Sequence, residues 1–71
     1  MIKYVVVFEK IDNGYNAYVP DLSGCIATGK TKSITKKLII EAIQFHLEGM
    51  KAEKIQIPVH KSDAETFVFA V

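Results

Sequence analysis

The stretch Tyr15-Asn16-Ala17-Tyr18-Val19-Pro20-Asp21-Leu22-Ser23-Gly24-Cys25-Ile26-Ala27-Thr28-Gly29 constrains the fold of this chain more than any other. Alternation from Tyr15 to Val19 suits a strand, with Tyr15, Ala17 and Val19 on one face and Asn16 and Tyr18 on the other. Pro20 stops the ladder, because it has no N–H to donate. Asp21 and Ser23 can bond local backbone and Gly24 tolerates positive φ, so Pro20 to Gly24 is expected to turn. Cys25 to about Lys30 then resumes as a strand. The unit is therefore a hairpin corner, for which the rest of the chain must supply a partner strand and a cover.

Upstream, Ile2 to Glu9 is rich in Val, Ile, Tyr and Phe and reads as the first strand. Its unbroken apolar run, Tyr4 to Phe8, predicts a strand covered on both faces and central in the sheet. Asn13-Gly14 is a strong hairpin signal leading into the second strand, Gly14 to Val19. Downstream, Thr31 or Ser33 can cap a helix that runs to about Met50, with Gly49 near the place where a stop belongs. Lys51 to Lys54 is expected to be a loop. Ile55 to Val59 alternates, but Pro58 demotes it to a connector. His60 to Glu65 is a polar turn, and the apolar Thr66 to Val71 reads as a buried fourth strand. The expected fold is α+β, in the order β-β-β-α-β: an antiparallel meander of three strands, a fourth strand, and one helix packed on the sheet.

The helix carries more apolar surface than one sheet can cover. At ~100° per residue, its apolar side chains span roughly 240° of the wheel, about twice the usual stripe. Ile34, Leu38 and Phe45 share one sector, and Thr35 and Lys36 interrupt the arc without breaking it. One side is expected to cover the sheet and the other a second chain, with Ile34, Leu38 and Phe45 as the oligomer contact. Size points the same way. A chain of 71 residues makes one domain, 1–71, and one cysteine excludes an internal disulfide. A domain of this size buries only about 60% of its unfolded surface, so association is the expected supplement to its core. The net charge of +1 argues for neither nucleic acid nor a membrane. No apolar run reaches the ~20 residues of a membrane helix. A free cysteine with no secretion signal fits a cytoplasmic protein.

Candidate chemistry is sparse. Cys25 activated by His46 would make a nucleophile, but buried cysteine more often serves as a small hydrophobe, and no third orienting group is evident. Glu9 and Glu41 could converge as metal-binding carboxylates, and Asp12 lies in a turn, where Asp is expected for backbone reasons alone. A minimal hydrolase or nuclease would draw on Glu9, Asp12, Cys25 or His46. Cys25, His46 and His60 have no metal-ligand spacing, and no cofactor site is expected. Gly24 to Thr31 fits Gly-x4-Gly-Lys-Thr letter for letter. A phosphate loop there would need Cys25 to Thr28 as loop, where the hairpin needs them as strand, and it lacks the parallel sheet that carries such loops. Lys30, Lys32, Lys36, Lys37, Lys51 and Lys54 gather near the helix ends, but with no interleaved aromatic residues they read as a solvated face.

Tyr15-x-Ala17-Tyr18-Val19-Pro20-Asp21-Leu22-x-Gly24-Cys25-x-Ala27-x-Gly29-x-Thr31, followed by a helix with Glu41-Ala42-Ile43-x-Phe45-His46-Leu47-Glu48, resembles the HicB-like antitoxin family. The resemblance covers about Ile2 to Met50, and its most specific part is the turn Pro20, Asp21, Leu22, Gly24 and Cys25. It implies a partial ribonuclease-H-like sheet without catalytic carboxylates. It also implies a non-enzymatic antitoxin that forms dimers or larger assemblies and masks a small RNA-cleaving HicA-like toxin. The alternative within the family is an orphan module of the same fold that binds another ligand or protein. Ser23 stands where the family commonly has Pro, and Lys32 to Lys37 replaces a usually acidic helix start. Ile34, Leu38 and Ile40 stand where polar residues are usual. Longer relatives add a DNA-binding module after the fourth strand; no such module is expected in these residues, so the resemblance does not extend to operator binding.

Overall fold

The computed structural model describes residues 1–71, with four elements in the order β1 (Val7–Ile11), β2 (Gly14–Tyr18), β3 (Ile26–Gly29) and α1 (Lys32–Ala52). The strands form an antiparallel sheet in the order β1-β2-β3, and α1 packs on β2 and β3. The fold is α+β. Register alignment puts Phe8, Ala17 and Ala27 in one row across the sheet. That row faces the helix, where Ala17 is buried and Phe8 and Ala27 pack beside it. The adjoining rows, Val7-Tyr18-Ile26 and Glu9-Asn16-Thr28, point to the opposite face by the strand's period of two.

Glycine sets two close approaches. A Cβ at Gly14 would collide with the Gly29 carbonyl, so the hairpin can close only without one. A Cβ at Gly29 would lie 2.7 Å from Thr35 Oγ1 and 3.0 Å from Ile34 Cγ2, so its absence lets the helix start rest on β3. Thr31 caps that start: its hydroxyl accepts the Ile34 amide at 3.1 Å. The core is Ala17, Val19, Leu22, Cys25 and Ile39, with Thr35 buried beside it. Thr35 is the most deeply buried polar side chain, not an interruption of the apolar arc. Its hydroxyl donates to the Thr31 carbonyl at 2.8 Å and lies 3.3 Å from the Tyr15 carbonyl. A threonine that bonds its own helix in this way can sit against a sheet without leaving a polar group unsatisfied.

Three expectations are corrected. The first strand pairs over Val7–Ile11 rather than from Ile2, and it lies at the edge of the sheet, with β2 in the centre. Its upstream run still alternates, since Tyr4, Val6 and Phe8 pack against the core, but no strand of this chain lies along its outer side. The helix runs past the expected end near Met50, through two residues expected as loop. It continues to Ala52 and ends where Lys54 takes a left-handed conformation at φ 56°, with the Ile55 amide donating to the Met50 carbonyl and the Lys54 amide to the Lys51 carbonyl. This is the Schellman arrangement, with lysine where glycine is usual. The fourth strand does not form within the chain: Thr66 to Val71 pairs with nothing and is exposed throughout.

Candidate protein-contact surface

The turn after β2 is built by local bonds. The Leu22 amide donates to the Val19 carbonyl, the Cys25 amide to the Leu22 carbonyl, and the Val19 amide to the Cys25 carbonyl. Gly24 sits at φ 79°, in the left-handed region that favours glycine. Leu22 and Cys25 drop into the core, while Pro20, Ser23 and Gly24 stay exposed. Asp21 does more than shape the turn. Its carboxylate accepts the amides of Lys61 and Ser62 and the Ser62 hydroxyl, each at 2.9 Å. The Ser62 amide, and next the Lys61 amide, hold the Asp21 carboxyl below the usual carboxylate range. Close by, the Tyr4 hydroxyl donates to the Pro58 carbonyl at 2.6 Å. Desolvation, and then the Asp21 charge, push that phenol up from its ordinary value. The turn and the run leading into β1 thus clamp the chain that returns from the helix.

Two apolar surfaces are left open. On the helix, Thr35 and Ile39 are buried, Ala42, Ile43 and Leu47 are half-buried against the core, and His46 and Met50 are half-buried. Ile34, Leu38 and Phe45 flank that side and are exposed, Phe45 by 80%. On the sheet face opposite the helix, a shallow hollow is lined by Glu9, Asn16, Tyr18, Ile26 and Thr28. Ile26 is 69% exposed there, and the Thr28 hydroxyl donates to Asn16 Oδ1 at 2.8 Å. An apolar patch with polar neighbours is the usual anatomy of a protein contact.

The catalytic candidates are not brought together. Cys25 lies in the core beside Ala17, Val19, Leu22 and Ile39, where burial pushes its thiol up and keeps it protonated at neutral pH. His46 instead lines a surface depression with Phe45, Gly49, Met50, Glu53 and Ile55, and no hydrogen bond joins it to Cys25. Glu9 points to the sheet face opposite the helix that carries Glu41, and Asp12 is exposed in the hairpin. Ile26 to Gly29, inside the phosphate-loop match, is strand. The six lysines near the helix ends are all exposed, and Lys32 Nζ stands 5.2 Å from the Phe8 ring centre. No helix is long and apolar enough to cross a membrane. Sequence reasoning missed the reach of Asp21, because nothing in a local turn pattern points to partners forty residues away.

The chain is similar to several known proteins. A family model for the HicB-like antitoxin of a bacterial toxin–antitoxin system matches residues 4–68. An uncharacterized 14.9 kDa protein from the rep-hol intergenic region of Haemophilus phage HP1 is 40% identical over 55 residues, which is 78% of this chain and 41% of the phage protein. The chain thus spans well under half the length of that relative. A UPF0150 protein of Helicobacter pylori (strain J99) is 41% identical over 49 residues, 69% of this chain and 68% of its own. A UPF0150 protein of Synechocystis is 39% identical over 56 residues, 78% of this chain and 71% of its own. Among solved structures, a chain of a HicA3 and HicB3 toxin–antitoxin complex superposes with a TM-score of 0.70 at 30% identity, over 84% of this chain and 70% of the other.

Proposed function

The chain belongs to the HicB-like antitoxin family, and from that premise we propose that it binds a small, mRNA-cleaving HicA-like toxin and neutralises it by steric masking. The observation that carries this reading is the likeness, in both fold and sequence, to a chain of a toxin–antitoxin complex. The physical side agrees. An antitoxin of this kind needs a shaped contact surface and no reacting group, and the side chains with the most chemical potential here are buried or apart. The toxin seats on the open sheet face, where Tyr18 and Ile26 give the apolar centre and Glu9, Asn16 and Thr28 the polar rim. The exposed helix flank of Ile34, Leu38 and Phe45 serves a different contact, between copies of the chain in the cytoplasm.

Co-expression with a HicA-like toxin from the same genome tests the proposal. The chain is expected to co-purify with the toxin and to restore growth. Toxicity that persists with the chain abundant and soluble, and no co-purification, would remove the proposal.

A further inference from the structure

Thr66 to Val71 has the composition of a buried strand and none of its contacts. Phe67, Phe69 and Val71 alternate with Thr66, Val68 and Ala70, and every residue is exposed, Val68 by 94%. The segment is not a loose end hanging from a loose connector. The chain just before it is held by four hydrogen bonds, one from Tyr4 and three to Asp21. Its point of departure is therefore fixed beside the run leading into β1, and the segment projects from there. The dimensions show it: the molecule measures 49 × 26 × 19 Å, with a radius of gyration of 13.9 Å. A compact chain of this length would have a radius near ~11 Å.

The complementary vacancy is in the same chain. β1 has β2 on one side and nothing on the other, and Ile2 to Val6 upstream has no ladder partner at all. An edge of this kind presents unpaired N–H and C=O groups next to apolar side chains, the condition under which a further strand adds. Tyr4, Val6 and Phe8 already pack on the core, so an added strand would extend an existing apolar layer.

We propose that Thr66 to Val71 of one copy adds to the outer edge of β1 in a second copy, and that the second copy returns its own segment to the first. The exchange is reciprocal, so it closes as a two-fold dimer with no free apolar strand left over. The four phenylalanines of two exchanged segments bring roughly 600 Å² or more, about half of what a specific interface buries, before the valines and the backbone are counted. The exchange accounts for the apolar run Tyr4 to Phe8, which reads as a central strand and becomes one only when the second copy is present. It rests on this chain's own geometry and is independent of toxin binding and of the helix flank.

The test mixes two singly substituted chains, a tagged Val7→Cys chain and an untagged Val68→Cys chain, and treats them with a short bis-maleimide crosslinker. The native Cys25 is buried, and unsubstituted chain serves as the control. A tagged–untagged dimer is expected, because the two new cysteines sit on different molecules and can meet only across copies. The product is expected to vanish when Phe67→Asp and Phe69→Asp are added, and to survive Phe45→Glu. No crosslink between the mixed chains would overturn the proposal. So would a crosslink confined to a single chain when both cysteines are placed on it. Neither result depends on whether a toxin binds.

Discussion

Asp21 shows how one carboxylate in a short turn organises a distant part of the chain. Its depressed ionisation has a direct consequence for pH. A group whose folded value lies below its unfolded value contributes stability that is complete above the usual carboxylate range, near ~3.9, and is lost as pH falls through the folded value. The clamp on Lys61 and Ser62 is therefore expected to hold through neutral and mildly acidic pH and to release in strong acid. Asp21→Ala should remove it at every pH. Amide hydrogen exchange at Lys61 and Ser62 should accelerate in that variant, with the Val19 and Cys25 amides still protected; unchanged protection at Lys61 and Ser62 would contradict the assignment. Lys54 makes a second point at this scale. A non-glycine residue held in the left-handed region costs about 1 kcal/mol, partly offset in a Lys54→Gly variant by the freedom glycine gains when unfolded. The expected net gain is about 0.5 kcal/mol, seen as a rise of a few degrees in Tm; a fall in Tm would refute it. Residue roles of this sort were only partly legible in the sequence. The turn chemistry of Pro20 to Gly24 could be read because its causes are local. The partners of Asp21 and the left-handed Lys54 could not, because one depends on where a distant segment returns and the other on where packing ends the helix.

At the scale of elements, β2 and β3 and the Thr31 cap follow from alternation and turn residues, and the sequence displays both openly. The helix was legible as a helix, and its apolar excess as an excess. What the wheel did not show was which part of that arc meets the sheet. Thr35 looks polar in the sequence, yet it is the most deeply buried helical position because its hydroxyl is satisfied within the helix. That choice turns Ile34, Leu38 and Phe45 outward. If this flank joins copies of the chain, Leu38→Glu or Phe45→Glu should weaken association by about 2 kcal/mol or more, roughly 30-fold, and leave the helical circular dichroism in place. Sedimentation at matched concentrations reads this as a lower mass. An unchanged mass would show that the flank is merely exposed.

At the scale of the molecule, the first and fourth strands are where the sequence was least informative, for one physical reason. An apolar alternating run says that a strand will be covered; it does not say which chain supplies the cover. Tyr4 to Phe8 and Thr66 to Val71 both read as buried strands, and in the single chain the first is an edge and the second is free. Only six residues are buried, and large apolar side chains such as Ile26, Phe45, Phe67 and Phe69 are left open to other molecules. That agrees with a protein whose work is binding. Titrating the purified chain into a HicA-like toxin that is cleaving RNA measures this most directly. Cleavage is expected to fall to zero at a fixed ratio of chain to toxin, with Ile26→Glu on the open sheet face requiring a large excess. Undiminished cleavage with the folded chain in excess would contradict the account.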